Sequence, residues 1–511
     1  MALAPYNMPF SPLDPALRPV AGALPVMVAR RLNHAVTLFA GVVFMIGATC
    51  AVSAGSVPLL AHAAKDRDAT TVSVLLKRGA DVNDTLADGS SALLWAAQWN
   101  DVPTATLLVK AGARVNLAND YGATPLSLAA TNGSAPMVRL LLGAGARPDT
   151  ASPSGEPALM TAARSGSVDA VRALLDAGAD VNASEPVKQQ TALMWAVAEA
   201  HGDVVGLLLE RGAALDAKSS SGFTALLFAA RVGNRDLVSL FLDRGVDINT
   251  ASDEGLTPLL VAVVRGHASL AEWLLDRGAD PNKDTAGYAP LHWAAGTFDT
   301  MSTKEYTTES GEWSALAGIA DRDAKLSLIN ALLAHGADVN VRVKGRLPRF
   351  GYTLGGGSIV GGGSYAGATP FFLATAVGDI GIMRLLLGKG ADPNIATNDR
   401  TTPLMAAAGV SIVEAETSAS EAQLLEALKL TMTLGNQVTA ANEAENTALH
   451  ATAFVGFNVI AKFLVESGAA LNARNKKGET PLKIATGVPL SGMFYSQPTT
   501  AALLRSLGGT E

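Results

Sequence analysis

Histidine is the side chain most often used to bind metals or to transfer protons near neutral pH, and the chain contains seven of them. His62 and His201 have no Cys or carboxylate neighbour at the spacing that a metal site requires. His267, His292 and His450 recur at fixed positions of a repeated pattern, which indicates a structural role. Because no Ser/His/Asp arrangement and no nucleotide-binding fingerprint occurs either, we predict no metal, no cofactor and no catalysis.

The segment 341–367 has the composition of a ligand-binding loop, because it combines basic residues, aromatic residues and two Gly triplets. A Gly-rich loop can cradle phosphate, but no Gly-Lys-Ser/Thr sequence follows here, so a P-loop is excluded. Two interpretations stay open: a long hairpin insertion, or a loop that binds an anionic partner. A third interpretation is that the loop binds the acidic segment 297–323 of the same chain instead of a partner. The basic residues of the loop are Arg342, Lys344, Arg346 and Arg349.

These side chains are carried by a repeat that occupies nearly all of the chain after its first 54 residues. Aligning the phrase Thr-Pro-Leu-x-x-Ala-Ala on its Leu gives twelve anchor positions, most of them 33 residues apart. A second phrase, Leu-Leu-x-x-Gly-Ala-Asp, follows most anchors in a fixed register, which is the signature of stacked repeat units. The anchors are Leu60, Leu93, Leu126, Leu159, Leu193, Leu226, Leu259, Leu291, Phe371, Leu404, Leu449 and Leu482.

Each repeat reads as two helices followed by a turn. Thr before Pro, as in Thr124-Pro125, caps the start of the first helix, and the small pair Ala129-Ala130 lets neighbouring helices approach closely. The Gly of the second phrase suits a left-handed helix end. Because one such unit cannot bury its apolar face alone, we expect neighbouring units to stack around a continuous core.

The repeated unit resembles the ankyrin repeat. The clearest copies of its motifs are Thr257-Pro258-Leu259, the stretch 289–295 and the turn 276–282. This resemblance covers about residues 55–511 and implies an all-α solenoid of about twelve helix-turn-helix units with hairpin loops. It also implies a curved molecule whose concave face and loop tips bind other proteins.

Three inserts and both ends depart from the regular repeat. We place inserts near 297–323 and 411–422, between the two helices of repeats 8 and 10, and at 341–367, in a hairpin loop. Since Leu60 follows closely on the N-terminal segment, we expect a truncated first repeat, and terminal repeats of a solenoid are commonly atypical. The last repeat has extra residues before a final helix near 500–507.

The resemblance also predicts which side chains meet a partner. In ankyrin units, residues five and six after the anchor, and three, five and six before it, tend to be exposed toward a partner. The aromatic and Arg residues at these positions form a row typical of interface anchors. Together with Gln98, the residues in this register are Trp99, Tyr121, Arg164, Phe223, Arg231, Arg265 and Tyr288. Arg346 and Arg349 of the loop are also predicted to contact the partner. By contrast, Trp95, Trp195, Phe228 and Trp293 lie two residues after an anchor, so we expect them to pack in the core or between repeats.

Residues 1–54 have the layout of a targeting segment. Arg30 and Arg31 precede an apolar run over 35–54 that ends in small residues, so we predict a secretory signal cleaved after Ala54. Met27 begins a more typical signal than residue 1 and is the expected true start. Two alternatives remain: the run is long enough to span a bilayer as an uncleaved anchor, or Cys50 is lipidated.

Composition narrows the partners and the function. The net charge of −7 argues against nucleic-acid binding, and a single Cys excludes a disulfide framework. We predict a monomeric, non-catalytic scaffold, periplasmic or secreted, that binds an unidentified protein. The alternatives are a regulatory or substrate-recruiting subunit of an envelope enzyme, and a membrane-tethered scaffold whose N-terminal segment is retained.

Overall fold

Twelve pairs of helices make up the part of the chain that the computed structural model describes, namely residues 59–296, 319, 321–344, 365–410, 419–490 and 493–511. They belong to one compact unit, Val57–Glu511. Each pair corresponds to one anchor, and the pairs are numbered as repeats 1–12. The pairs are Leu59–Lys65 and Ala69–Lys77, Ala92–Gln98 and Val102–Lys110, Pro125–Thr131 and Ala135–Gly143, Ala158–Arg164 and Val168–Asp176, Ala192–Ala198 and Gly202–Glu210, Ala225–Val232 and Arg235–Leu242, Pro258–Val264 and Ala268–Asp276, Pro290–Ala295 and Arg322–Ala334, Pro370–Ala376 and Ile380–Gly388, Pro403–Ala407 and Glu421–Thr433, Ala448–Val455 and Asn458–Glu466, and Pro481–Thr486 and Pro498–Ser506.

The first helix of a repeat begins where the sequence predicts it. Thr124 is the N-cap of its helix, its side chain accepts a hydrogen bond from the Ser127 amide, and Pro125 opens the helix. The hydroxyl of Thr257 does the same for the Leu260 amide. Such a cap satisfies one of the amides that have no partner inside the helix. The Thr-Pro phrase therefore sets the start of these short helices.

The second helix ends at the Gly of the second phrase. In repeat 7 the helix Ala268–Asp276 is followed by Gly278, whose φ of +90° is left-handed and favours glycine. This turn lets the amides of Gly278 and Ala279 bond back to the carbonyls of Leu275 and Leu274. The carbonyls at the helix end are thus satisfied inside the repeat.

The core is continuous along the stack because equivalent helices pack on one another. First helices contact the first helices of the neighbouring repeats, and most second helices contact the neighbouring second helices. Small residues lie at the closest approach: Ala96, Ala97, Ala129 and Ala130 are all buried to within 1% of their surface. The low aromatic content of the chain follows from this packing of Ala and Leu, since close helix spacing leaves little room for rings.

In several repeats an Asn in the turn after the second helix ties the repeat to the next one. The Asn83 amide donates to the Gly112 carbonyl at 3.4 Å, and its carbonyl accepts from the Arg114 amide at 2.7 Å. Asn116 makes the same pair of bonds to Gly145 and Arg147, at 3.0 Å each. We call this series the asparagine ladder. It satisfies backbone groups at one helix end with a side chain from the preceding repeat.

Two of the inserts lengthen a helix. The second helices of repeats 8 and 10 have 13 residues each, whereas that of repeat 7 has nine. The additional four residues add about one turn at the N-terminal end. In repeat 8 this turn is capped by Asp321, whose carboxylate accepts from the Ala324 amide at 2.7 Å. The acidic end of the 297–323 segment therefore has a structural use.

The terminal repeats differ from their expected form in detail. Repeat 1 was expected to be truncated, but its helices have seven and nine residues, the same lengths as those of repeat 2. In repeat 12 the expected final helix is present, preceded by two three-residue strands, Val488–Leu490 and Met493–Tyr495. These strands pair antiparallel with Val488 opposite Tyr495, and they are a local addition to an all-α fold.

Candidate partner-binding surface

Five of the predicted recognition residues lie at the ends of first helices, namely Gln98, Trp99, Arg164, Arg231 and Arg265. We define the first-helix row as the side chains five and six residues after the anchor in repeats 1–7. At this point the chain leaves the first helix and turns into the second. The charged and aromatic members of the row are Lys65, Asp66, Trp99, Arg164, Glu199, Arg231 and Arg265.

Repeats 1 and 2 contribute two indole rings flanked by two cations. Trp99 is 41% exposed and stacks on Trp95 with 6.0 Å between ring centroids. Its indole Nε1 donates to the Lys65 carbonyl at 3.0 Å, which fixes the ring between repeats. The Lys65 ammonium lies 5.3 Å from the Trp95 ring, and the Arg67 guanidinium 5.9 Å from the Trp99 ring. The predicted exposure of Trp99 is confirmed, and the neighbouring Gln98 is exposed as well.

Arg164 in repeat 4 lies over a ring of the next repeat. Its guanidinium lies 4.5 Å from the centroid of the Trp195 ring, and its side chain is 29% exposed. Glu156 approaches it at 3.8 Å, a long ion pair. The His201 ring bonds the Arg164 carbonyl at 3.0 Å, so this histidine fixes the helix end. Stacking and backbone contacts together orient the guanidinium.

Repeats 6 and 7 place two further arginines in the row. The Arg231 guanidinium lies 4.6 Å from the Phe228 ring of the same repeat, and the His267 ring bonds the Arg231 carbonyl at 2.9 Å. Arg265 is half-buried, and burial lowers the pKa of its guanidinium. A partly desolvated cation gains more from a nearby anion than a fully hydrated one does. Arg265 is therefore suited to contact an acidic group.

Two predicted recognition residues are buried, so the expectation that they are exposed was wrong. Phe223 is 1% exposed and lies edge-on to Phe228, with 5.7 Å between ring centroids. Tyr288 is 5% exposed and lies 6.0 Å from the Trp293 ring. Both residues stand three positions before their anchor, and at that position Leu256 is buried as well. The hairpin turns this side chain inward onto the residue two after the anchor, which makes it part of the core.

Tyr121 is a strongly exposed ring among the predicted residues. It is 71% exposed at a hairpin tip between repeats 2 and 3. The Asn119 carboxamide accepts hydrogen bonds from the amides of Tyr121 and Ala123, at 3.2 and 2.9 Å. These bonds fix the backbone of the tip and leave the phenol ring in solvent. A ring presented by a fixed backbone is a typical contact residue for a protein partner.

The aromatic residues two after the anchor have the predicted packing role. Phe228 and Trp293 are each 2% exposed. Trp95 and Trp195 are half-buried and carry Lys65 and Arg164 on their faces. Their packing joins one repeat to the next.

The two ends of the basic loop have partners within the chain. The Arg342 guanidinium donates to the Ala396 carbonyl at 3.0 Å and to the Asn398 carboxamide at 3.1 Å. The Lys344 ammonium lies 2.6 Å from the Asp284 carboxylate. Two of the four basic residues of the loop, Arg342 and Lys344, thus bond to neighbouring hairpins of the same chain. Arg346 and Arg349 lie outside the described residues, and their predicted binding role stays a prediction.

The buried histidines also have backbone partners. His292 accepts from the Ala289 amide at 2.9 Å and bonds the Val341 carbonyl at 2.9 Å. His450 does the same with Thr447 and Glu479, at 3.1 Å each. Within the described ranges no three metal-ligating side chains come together. Both rings are used to tie a first helix to the hairpin of the next repeat.

Comparison with known proteins agrees with this architecture. A model described as ankyrin repeats (3 copies) matches residues 60–152, 129–219 and 226–303, and the ankyrin repeat model matches 366–398 and 445–476. These matches cover more than half of the chain. The chain belongs to the ankyrin repeat family.

This ankyrin repeat protein is similar to several known members of the family. Over 112 residues it is 37% identical to an ankyrin repeat protein of fowlpox virus (strain NVSL), a match that covers 21% of this chain and 13% of that relative. The chain therefore spans only a small part of the curated relative it matches. Among solved structures, the ankyrin repeat domain of human ASB11 is 30% identical, covering 43% of this chain and 98% of that one, with a TM-score of 0.39. The ankyrin repeat protein EF0377 is 29% identical, covering 37% and 98%, with a TM-score of 0.35.

Ankyrin repeats are protein–protein interaction scaffolds, so membership in the family indicates the general role of this protein. Members of the family are typically non-catalytic interaction modules. Lys65 and Arg67 belong to the surface but were missed, because repeat 1 was treated as a truncated end. The signal was present, since Lys65 has the same distance from its anchor as Arg164 and Arg231.

Proposed function

We propose that this ankyrin repeat protein is a non-catalytic scaffold of the cell envelope or the extracellular space, and that it binds one protein partner through the first-helix row and the hairpin tips. The observation that carries the proposal is the exposed aromatic and cationic series on repeats 1–7. Trp99 and Tyr121 are large rings in solvent at fixed positions, and Arg164 is held in place by stacking. Such pre-oriented side chains lose little conformational entropy when a partner binds.

Affinity capture with matched surface variants tests this proposal. The variant Trp99→Ala/Tyr121→Ala removes the two rings from the first-helix row and the adjacent hairpin tip. The control Leu107→Ala/Val459→Ala removes apolar side chains of comparable exposure, 42% and 56%, from second helices. We expect the unmodified protein and the control to capture the same partner from a native envelope fraction, and the test variant to lose it. Equal capture by both variants would contradict the proposed surface.

The location outside the cytoplasm depends on residues 27–54, which lie outside the described part of the chain. Its support is the order of Arg pair, apolar run and small residues in the sequence. We expect the native protein to begin at Gly55, which N-terminal sequencing would show. Recovery of residues 1–26 would rule out Met27 as the start.

The membrane-tethered form is the second candidate, favoured by the length of the apolar run 35–54. Among the described residues, none of the helices has the length and apolar character needed to cross a bilayer. Fractionation distinguishes the two forms. A tethered protein stays with the membranes after a carbonate wash, whereas a cleaved one is released with the soluble envelope proteins.

A further inference from the structure

The second helices of repeats 2–5 form a layer on which the charge changes sign. Neighbouring helices of the layer contact one another, and side chains 10, 13, 14 and 17 positions after the anchor share its outer face. We call these side chains the second-helix face. It has two cations and no carboxylate in repeats 2 and 3, but four carboxylates and one cation in repeats 4 and 5. The face comprises Pro103, Thr106, Leu107, Lys110, Pro136, Arg139, Leu140, Gly143, Asp169, Arg172, Ala173, Asp176, Asp203, Gly206, Leu207 and Glu210.

The two outermost charges of this face, Lys110 and Glu210, are exposed and unpaired. Within the described ranges neither side chain has an ion pair or a hydrogen bond. Asp176, by contrast, is paired with Arg211 at 2.8 Å. Lys110 and Glu210 occupy the same position of repeats 2 and 5, so three helix spacings, about 24–30 Å, lie between them. They therefore cannot pair with each other inside one chain.

Gly206 marks a low point of the face in repeat 5. It lies in the middle of the helix Gly202–Glu210, where glycine is less favourable than alanine, yet a Cβ there would meet nothing among the described residues within 4 Å. The adjacent Leu207 is only 3% exposed. At the equivalent position of repeat 2, Leu107 is 42% exposed and protrudes. A protruding leucine and a low surface at equivalent positions are complementary shapes for two copies of this face.

We propose that two copies of the chain associate through the second-helix face, related by a two-fold axis that runs parallel to the second helices between repeats 3 and 4. Such an axis reverses the order of the repeats and keeps the direction of the helices, so repeat 2 faces repeat 5 of the second copy. Lys110 then meets Glu210 of the second copy, and Leu107 meets the low surface at Gly206 and Leu207. Each contact occurs twice by symmetry.

This inference goes beyond the proposed function, because the first-helix row is not part of the face. It replaces the monomer that the sequence led us to expect. Since Leu107 lies in the face, a crosslink from this position is expected to reach a second copy of the chain and not the protein partner. The position therefore keeps its use as a control for the partner.

Repeats 3 and 4 add one favourable and one unfavourable contact. Arg147 and Asp180 are exposed at equivalent positions of the turns after the second helices, so the axis brings them together. Arg139 and Arg172 are also equivalent and also exposed, and the axis places these two like charges opposite each other. Like charges that face each other weaken an interface. The proposed dimer thus has a specific defect, and its repair is a test.

The area of the face indicates a weak dimer. Its four helices have nine residues each, which gives a length of about 13.5 Å per helix and a width of about 40 Å for the layer. The two copies then bury about 1,100 Å² in total, close to the lower limit for a specific interface. We therefore expect a reversible dimer with a micromolar Kd.

An anionic lipid surface is the rival occupant of the basic repeats 2 and 3. A flat anionic surface over these repeats would also meet the carboxylates of repeats 4 and 5 in the same layer, and these would repel it. A second copy offers carboxylates to the basic repeats and cations to the acidic ones. The charge pattern therefore favours a second copy.

Sedimentation equilibrium of the full-length protein tests the proposal. We expect dimers at micromolar concentration, and we expect them to weaken as the salt concentration rises. Lys110→Glu and Glu210→Lys are each expected to weaken dimerisation about tenfold or more, because each variant places like charges opposite each other twice. The control Arg384→Glu makes the same change of charge at an exposed arginine of the second helix in repeat 9 and is expected to have no effect.

An equimolar mixture of the Lys110→Glu and Glu210→Lys proteins is the sharpest form of this test. In the mixed dimer both contacts again join opposite charges, so we expect its affinity to return to within about threefold of that of the unmodified dimer. A structural effect of either substitution within its own chain would not be reversed by mixing.

Two further variants examine the shape of the face and its defect. Gly206→Leu is expected to keep the fold by circular dichroism, since leucine favours a helix, and to weaken dimerisation about tenfold because it fills the low point. Arg172→Glu places a carboxylate opposite Arg139 and is expected to strengthen the dimer severalfold.

Three results would overturn the proposal: a protein that remains monomeric at about 100 µM, dimers that Lys110→Glu and Glu210→Lys leave unchanged, or a mixture of these variants no stronger than either alone. Vesicles of phosphatidylglycerol give the rival its own readout. Binding of the monomer to these vesicles that depends on Lys110, with no binding to phosphatidylcholine, would assign the basic repeats to a lipid surface instead. Loss of partner capture in Trp99→Ala/Tyr121→Ala with an unchanged dimer separates the proposed function from this inference.

Discussion

Asn282 and Asp338 are hydrogen-bonded across an insert that separates them by more than a regular repeat. The Asn282 carbonyl accepts from the Asp338 amide at 2.7 Å, and its amide group donates to the Gly336 carbonyl at 2.8 Å. Asn340 continues the asparagine ladder to Asp392 at 2.8 Å, past the second insert. The register of the stack is therefore the same on both sides of the inserts.

We expect Asn282→Ala to lower the free energy of unfolding by about 1–2 kcal/mol, because two backbone groups lose their partner. Amide hydrogen exchange is also expected to speed up at Asp338. Urea denaturation followed by circular dichroism gives the free energy. Asn330→Ala is the control, since that side chain is exposed and bonds only the Leu326 carbonyl of its own helix among the contacts described. Equal effects of the two substitutions would show that the ladder adds no stability here.

Two glycines with nearly equal backbone angles are expected to differ sharply in their tolerance of a side chain. Gly255 and Gly278 have φ values of +82° and +90°. A Cβ at Gly255 would overlap the backbone of Thr285 in the next hairpin, whereas a Cβ at Gly278 would meet nothing within 4 Å. We expect Gly278→Ala to cost about 1 kcal/mol, the strain of a left-handed residue. Gly255→Ala is expected to cost about 3 kcal/mol or more, because steric overlap adds to the same strain. Comparable unfolding midpoints for the two variants would refute the close approach of the hairpins.

Burial of His292 makes the stability of the protein depend on pH. Desolvation lowers the pKa of this histidine to about 4, and burial lowers the pKa of His450 as well. The unfolded chain, with a pKa near 6.5, then binds more protons than the folded one in the range between these values. The contribution of the buried, neutral histidine to the free energy of unfolding is therefore fully present above about pH 6.5 and is lost as the pH falls toward 4.

We expect the contribution of His292 to amount to about 2 kcal/mol between pH 7 and pH 5. Urea midpoints measured across this range check it. In His292→Asn the fall is expected to be smaller, whereas His62→Asn, which changes an exposed histidine, is expected to keep the profile of the unmodified protein. A profile that is the same in all three proteins would contradict the assignment.

Substitution of Phe223 is expected to affect stability, whereas substitution of Tyr121 is expected to affect partner binding. Phe223 is 1% exposed and packs on Phe228, so Phe223→Ala should cost about 3–5 kcal/mol, as for other buried rings. Tyr121 is 71% exposed, so Tyr121→Ala should change stability by no more than about 0.5 kcal/mol while weakening partner capture. Thermal denaturation and capture assays measure the two effects. A destabilised Tyr121→Ala protein would mean that the hairpin tip is structural.

The fold could be predicted from the sequence because the motifs of a repeat mark where its helices begin and end. Thr257-Pro258 and Gly278 delimit the helices of repeat 7 as predicted, and Thr124-Pro125 and Gly145 do the same in repeat 3. Side-chain direction within the hairpins could not be read from the register alone. Phe223 and Tyr288 were assigned to the surface although each faces a ring two residues after the anchor. The pairing of aromatic residues at these two positions was the available signal.

There is a second reason why the sequence predicted the partner-binding surface only in part. A register gives the position of a residue but not its contacts. Arg164 and Arg231 were chosen for their positions, and the stacking on Trp195 and Phe228 that orients them became visible only in three dimensions. Arg342 and Lys344 were expected to be free for a partner in one interpretation, yet both bond to neighbouring hairpins.

The central claim is that a protein partner docks on the first-helix row and the adjoining hairpin tips. Site-specific photocrosslinking in native cells tests it most directly, with benzoylphenylalanine placed at Trp99 or Tyr121 and, as controls, at Leu107 or Val459 on second helices. The account predicts that Trp99 and Tyr121 crosslink to one and the same protein, and that the control positions do not. Crosslinking of that protein from Leu107 or Val459 but from neither Trp99 nor Tyr121 would contradict the account.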